Sequence, residues 1–184
     1  MYHCIISRRI SSVVSHDRHS LLRYFSRLSH VDSETGKASM VDVSQKNQES
    51  YRSATATARV LLGEQAFGLV RDNTVGNKGD VLSVSQLAGI MGAKHTSTLI
   101  PLCHPLLLTH VSVDLKLDEN RHAVDILATA KTVGSTGVEM EALTAASIAA
   151  LTVYDMCKAA SKYIEITDIV LLEKTGGKGG VFHR

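Results

Sequence analysis

The sequence predicts an α+β sandwich, an antiparallel sheet with helices packed on one face. Three observations carry that prediction. Segments 110–117 (HVSVDLKL) and 122–131 (HAVDILATAK) alternate apolar and polar residues across the polar run Asp118-Glu119-Asn120-Arg121, the pattern of a β-hairpin. An alanine-rich segment, 137–158, follows with strong helix propensity. Residues 164–174 (IEITDIVLLEK) then read as a further strand.

The remaining segments follow in chain order. Residues 1–28 carry Arg8, Arg9, Arg18, Arg23 and Arg27, scattered serines and a single acid, Asp17. An arginine- and serine-rich, acid-poor start has the profile of a mitochondrial leader. The expected organisation is therefore a targeting leader over 1–28, a single domain over 29–184, and a mitochondrial matrix location. Residues 40–43 (MVDV) alternate as a short strand. Residues 50–72 show a helical pattern through Ala54, Ala58, Leu61, Leu62, Gln65 and Leu69, with Gly63 as a break. Arg52 would sit in the first turn of that helix, opposing its macrodipole, where an anionic partner or simple solvation would compensate.

The turn cluster 76–80 (GNKGD) delivers a second helix over Val81–Lys94. Lys78 beside its free N–H groups makes a natural anion site, with Lys94 near the far end. The phosphate-loop signature GxxxxGK[ST] occurs nowhere in the chain. Residues 100–105 (IPLCHP) hold the only two prolines. These fix the local backbone and present His104 rigidly, with Leu99, Ile100 and the apolar run 106–108 anchoring the segment in the core. Cys103 and His104 lack companion ligands at zinc-site spacing.

The helix over 137–158 is the centre of the chain. Thr136 and Glu139 have capping-box spacing. Glu141, Thr144, Ile148, Leu151, Asp155 and Lys158 fall along one stripe at about 100° per residue. Asp155 and Lys158 could form an ordinary surface pair, worth a few tenths of a kcal/mol. Their place at the end of an apolar stripe argues instead for a protected acid–base pair, because an unpaired buried carboxylate is costly. Glu141 and Asp155 are about 21 Å apart along a straight helix. If both act, they serve different ends of a long substrate or sites shared between subunits. The glycine-rich tail 174–180 (KTGGKGG) presents two lysines that could fold over a polyanion. The sheet face away from the helices is expected to be apolar and covered by a second subunit.

Composition narrows the function classes. With 184 residues, 44% of them hydrophobic, the chain has ample core for one domain. A net charge of +2 and 4% aromatic residues give no nucleic-acid signature. No apolar run reaches membrane-spanning length. Three cysteines without CxxC spacing indicate no disulfide framework and fit a reducing compartment.

Seven motifs, in order, resemble the cyclic pyranopterin monophosphate synthases, the C proteins of molybdenum cofactor biosynthesis (the MoaC family): MVDVS at 40–44, KGDV at 78–81, AGI with AK at 88–94, IPLCHP at 100–105, TGVEMEALTAAS at 136–147, ALTVYDMCKA at 150–159 and KTGGKGG at 174–180. The resemblance runs from about His30 to Phe182. It implies a ferredoxin-like sandwich assembled as a homohexamer, a trimer of dimers, with active sites at subunit interfaces. It implies a lyase that converts (8S)-3′,8-cyclo-7,8-dihydroguanosine 5′-triphosphate into cyclic pyranopterin monophosphate and pyrophosphate. By the same resemblance Asp155 is the catalytic acid/base, Lys158 its partner in proton transfer, and Lys78 a further catalytic group. Cys103, His104, Glu139, Met140, Glu141 and Lys174 match substrate-binding positions, while Arg52 and Lys94 fall at phosphate-binding ones. No cofactor is implied, and the preceding radical step belongs to a separate chain.

The residue types suit that chemistry. Turning a purine-derived ring into a pterin needs repeated proton transfers, and expelling pyrophosphate needs cations to meet developing charge. Two other readings stand beside it: a non-catalytic nucleotide-binding oligomer, and a metallohydrolase built on His104, Glu139 and Glu141.

Overall fold

The computed structural model describes residues 28–32, 34–44, 50–72 and 80–184. The leader and the 76–80 turn with Lys78 thus lie almost entirely outside the described residues. The chain divides into two compact units, one ending at Ser39 and one from Met40 to Arg184. In the first, Val31 bridges Ala38 across a turn in which the Asp32 carboxylate accepts from the Thr35 N–H (2.7 Å) and hydroxyl (2.7 Å).

The second unit runs β1 (Ser50–Leu61), α1 (Gly63–Arg71), α2 (Val81–Lys94), the short α3 (Thr96–Leu99), β2 (Leu108–Asp118), β3 (Ala123–Gly134), α4 (Glu139–Cys157), β4 (Glu165–Thr175) and β5 (Phe182–His183). The five strands form one sheet in the order β2-β3-β1-β4-β5, every pairing antiparallel. Without the final two-residue strand this is the ferredoxin-like arrangement: two strand–helix–strand units interleaved so that β1 and β3 lie at the centre.

Several elements follow directly from their residues. In β3, Val124, Ile126, Ala128, Ala130 and Thr132 point to one face and are buried. Asp80 caps α2, its carboxylate accepting from the N–H groups of Leu82 (3.1 Å) and Ser83 (3.0 Å). Those two donors are therefore occupied by the chain's own carboxylate. On α4, Ala142, Ala145, Ala146, Ala149 and Ala150 are fully buried. Each such methyl contributes about 0.8 kcal/mol and, being small, lets the helix lie close to its neighbours. The packing with α2 is close at Gly89, where an added Cβ would sit 2.9 Å from the Ala145 carbonyl oxygen and 3.1 Å from Val113 Cγ2. Gly89→Ala should therefore destabilise by about 1 to 2 kcal/mol in urea titrations, overpacking outweighing the gain in helix propensity.

Five expectations are corrected. Residues 50–61 are a strand, not the first half of a helix, and Gly63, at φ 73°, is where strand gives way to helix. Their alanine content carries helix propensity, but the residues alternate. Ala54, Ala56, Ala58 and Val60 face the helices at 1% exposure or less, while Ser53, Thr55, Thr57 and Arg59 face the other way. Second, residues 40–43 pair with no described strand, and Asp42 folds back to accept from the Ser44 N–H at 2.8 Å, a local bond that competes with a ladder. Third, the capping box does not form. Helix α4 begins at Glu139 itself, with Val138 at the cap position and no side-chain cap bond, because the Glu139 carboxylate is turned to Lys174.

Fourth, the sheet face away from the helices is polar. Thr55 and Thr129 hydroxyls meet at 3.0 Å, Arg59 grips Asp125 (Nε–Oδ1 2.6 Å) and reaches Asp168 at 3.6 Å, with Leu127, Val133 and Tyr51 as exposed exceptions. Thr57, Arg59, Asp114, Lys116, Asp125 and Leu127 line a groove there of about 440 Å³. Exposed apolar residues lie on the helices as well, with Leu87, Met91 and Leu151 each about half exposed or more. Fifth, the run 106–108 is not wholly anchored: Leu106 packs against the core but Leu107 is 90% exposed. The segment is held through backbone, the Thr132 hydroxyl donating to the Leu107 carbonyl at 2.7 Å. No helix among the described residues is long and apolar enough to cross a membrane.

Candidate active site

Helix α4 separates two groups of charged residues. Its first turn carries Glu139, Met140 and Glu141, and its last turn carries Asp155, with Lys158 at the C-cap. The helix is straight α-structure between them, so the two ends are about 20 Å apart.

At the first end, Glu139 and Lys174 form a half-buried ion pair, Nζ to Oε1 3.4 Å. Lys174 reaches it because β4 runs antiparallel to β1 and ends beside the loop that enters α4. Glu141 is only 4% exposed. Burial pushes its carboxyl up to about 7, the Glu139 charge adds to the rise, and its own backbone N–H opposes it. Cys103 lies close enough to feel that carboxylate, and its thiol is raised by burial first and by Glu141 second. His104, next in the chain, lies on the electrostatic horizon of Asp42, whose carboxyl is lowered chiefly by the Ser44 backbone N–H. Residues 100–105, which carry both prolines, thus bring Cys103 close to Glu141 in the first turn of α4. Met140 is partly exposed beside them.

At the second end, the Lys158 ammonium lies 2.5 Å from Asp155 Oδ1, with both side chains slightly more than half exposed. The Asp155 hydrogen bond, with the carboxylate's charge, raises the Lys158 pKa. Within the single chain the pair closes the stripe as an open surface pair, not the protected one expected, beyond the half-exposed Leu151.

The other expected residues fall as follows. Lys94 is exposed in the last turn of α2. Lys78 is outside the described residues. Arg52 lies on β1, not in a helix, and donates from Nε to the Gly134 carbonyl (2.8 Å) and from Nη2 to that of Ser135 (3.2 Å). The expected basic tail is ordered. It turns through Gly176 and Gly177 and returns as β5, pairing Phe182 with Lys174 and closing with the Arg184 N–H on the Leu172 carbonyl at 2.8 Å. Among the described residues, no three His, Cys, Asp or Glu side chains are placed to hold a metal ion, and Glu139 is committed to Lys174.

Fold and site together define a ferredoxin-like α+β protein that mounts acids and ammonium groups at both ends of one alanine-packed helix. Comparison with known proteins identifies the group: residues 40–177 match the MoaC family, and the chain belongs to it. It is 58% identical over 159 residues to the mitochondrial cyclic pyranopterin monophosphate synthase of Arabidopsis thaliana, covering 86% of this chain and 58% of that one. It is 57% identical over 157 residues to the cyclic pyranopterin monophosphate synthase of Heliobacterium modesticaldum, covering 85% and 97%. To molybdenum cofactor biosynthesis protein 1 of Mus musculus it is 59% identical over 158 residues. That match covers 86% of this chain and only 24% of the mouse protein. The chain therefore spans about a quarter of the mouse relative and somewhat over half of the plant one, but nearly all of the bacterial one.

Proposed function

We propose that the chain is a cyclic pyranopterin monophosphate synthase, a lyase that releases pyrophosphate from the cyclic dihydro-GTP intermediate in molybdenum cofactor biosynthesis. Membership of the family supports this reading, as does the near-complete coverage of the bacterial synthase. The observation that carries it is the Asp155–Lys158 pair, an acceptor and a donor one turn apart on a rigid helix. In the working site Asp155 takes a proton from the substrate and Lys158 delivers one, with Lys78 as a further catalytic cation. Lys174 and Lys94 supply positive charge towards the triphosphate, which stabilises the departing pyrophosphate. Glu141, near-neutral in its buried position, suits hydrogen bonding to the ring edge, flanked by Cys103, His104, Glu139 and Met140.

A single protomer separates these two groups along α4, so the reading includes an oligomer in which one copy supplies Asp155 and Lys158 to the α4 start of another. The exposed Leu87, Met91 and Leu151 on the helical layer support such covering, and a homohexamer built as a trimer of dimers would provide it. The radical step upstream then belongs to a separate polypeptide. The arginine-rich start, and the plant relative's mitochondrial designation, support a cleaved leader over 1–28, a catalytic domain over 29–184 and a matrix location.

Single-turnover conversion by protein lacking residues 1–28 tests the reaction. One pyrophosphate should appear for each pterin formed. Tight binding of the intermediate without product would favour the sensor reading.

A further inference from the structure

Arg52 lies against both segments on which the Glu139–Lys174 pair is mounted. On one side its guanidinium binds the carbonyls of Gly134 and Ser135, where the chain leaves β3 for α4 and reaches Glu139 four residues later. On the other side lies the turn after β4, with Gly176 at φ 88° and Gly177 at φ 75°. A Cβ on Gly177 would collide with the Nη1 atom of Arg52, and one on Gly176 would strike the Tyr51 carbonyl and lie 3.1 Å from Arg52 Cγ. The two glycines are thus required twice over, for left-handed backbone and for the absence of a side chain against Arg52. That turn begins two residues after Lys174, whose ammonium faces Glu139 at 3.4 Å.

We infer that Arg52 is a positioning residue: its planar guanidinium clamps the β3–α4 loop to the double-glycine turn and so fixes Lys174 against Glu139. Two of its donors are spent on backbone carbonyls, which a phosphate ligand would not need. The planar fork matters, because a lysine ammonium of equal charge is a compact point charge that does not reproduce the fixed spread of the guanidinium donors. The inference rests on the proposed function only in giving Lys174 a part in catalysis.

Two measurements test it. Amide exchange, which requires no substrate, should accelerate at least tenfold over 134–138 and 175–180 in both Arg52→Gln and Arg52→Lys, with the rest of the sheet unchanged. Turnover should fall ten- to a hundredfold in either variant, yet by less than threefold when the same change is made in a Lys174→Ala background. Unchanged exchange would overturn the clamp. Independent, multiplicative losses in the double variant, or wild-type kcat/KM in Arg52→Lys, would overturn its action through Lys174 and return Arg52 to direct substrate binding. Full turnover in Lys174→Ala alone would instead remove Lys174 from the site, a failure of the proposed function that the exchange result identifies separately.

Discussion

Asp155→Asn should lower the rate of pterin formation by about a hundred- to ten-thousandfold, the span that a positioned proton-transfer group contributes. The substitution keeps the shape of the side chain and removes only its basicity and charge. It costs the fold little, since Asp155 is more than half exposed and its ion pair lies at the surface of the protomer. Lys158→Ala should show a loss of the same order for the complementary reason, removal of the ammonium that Asp155 holds in place. Binding of the intermediate should persist in both, so that the loss falls on kcat. Single-turnover chemistry with thermal unfolding in parallel checks the pair. Wild-type turnover in both variants would exclude the mechanism, whereas loss of rate with an equal loss of folded protein would move the residues from chemistry to structure.

Glu141→Gln should alter the dependence of stability on pH by about 3 kcal/mol, the difference between a carboxyl near 4.5 in the unfolded chain and about 7 in the folded one. The sign follows from the direction of the shift. A raised carboxyl pKa means that the folded state favours the protonated form, so the contribution is fully present below about pH 4.5. It is lost as pH rises through about 7, when the buried group must ionise. Glutamine cannot ionise, so the variant should match wild type near pH 4.5 and exceed it above pH 7.5. Urea titrations at pH 4.5, 6 and 8.5, with substrate absent, measure this. A variant no more stable than wild type at pH 8.5 would show that Glu141 is ionised without penalty. Turnover of the same variant bears on the ring-edge role, and its loss despite higher stability would mark the usual exchange of stability for function.

The hairpin, the central helix and the last long strand were legible because each keeps one period over ten or more residues. Residues 50–61 were not, although their alternation is written in Ala54, Ala56, Ala58 and Val60. Alanine is a poor marker of burial and a strong marker of helix, and the propensity concealed the period. The polar open face was legible in the same way, as the threonines and charges of the intervening positions, but the expectation of a covered sheet overrode them. The Thr136–Glu139 spacing looked like a cap, yet a glutamate with a lysine within 3.4 Å has a stronger partner than a backbone N–H. Of the site, the distance between Glu141 and Asp155 followed from helix rise alone. The companions of Arg52 did not, because carbonyls of Gly134 and Ser135 more than 80 residues away leave no trace in local sequence.

On the proposed reaction, α4 should offer its two ends to different active sites, each completed by a second copy of the chain. Mixed oligomers formed by co-expressing an Asp155→Asn chain with a Lys174→Ala chain, each strongly impaired alone, are the decisive measurement. If two copies share each site, hybrids regenerate one site with both residues intact, and roughly a quarter of wild-type turnover should return. If every site is built within one chain, the hybrids stay as inactive as their parents.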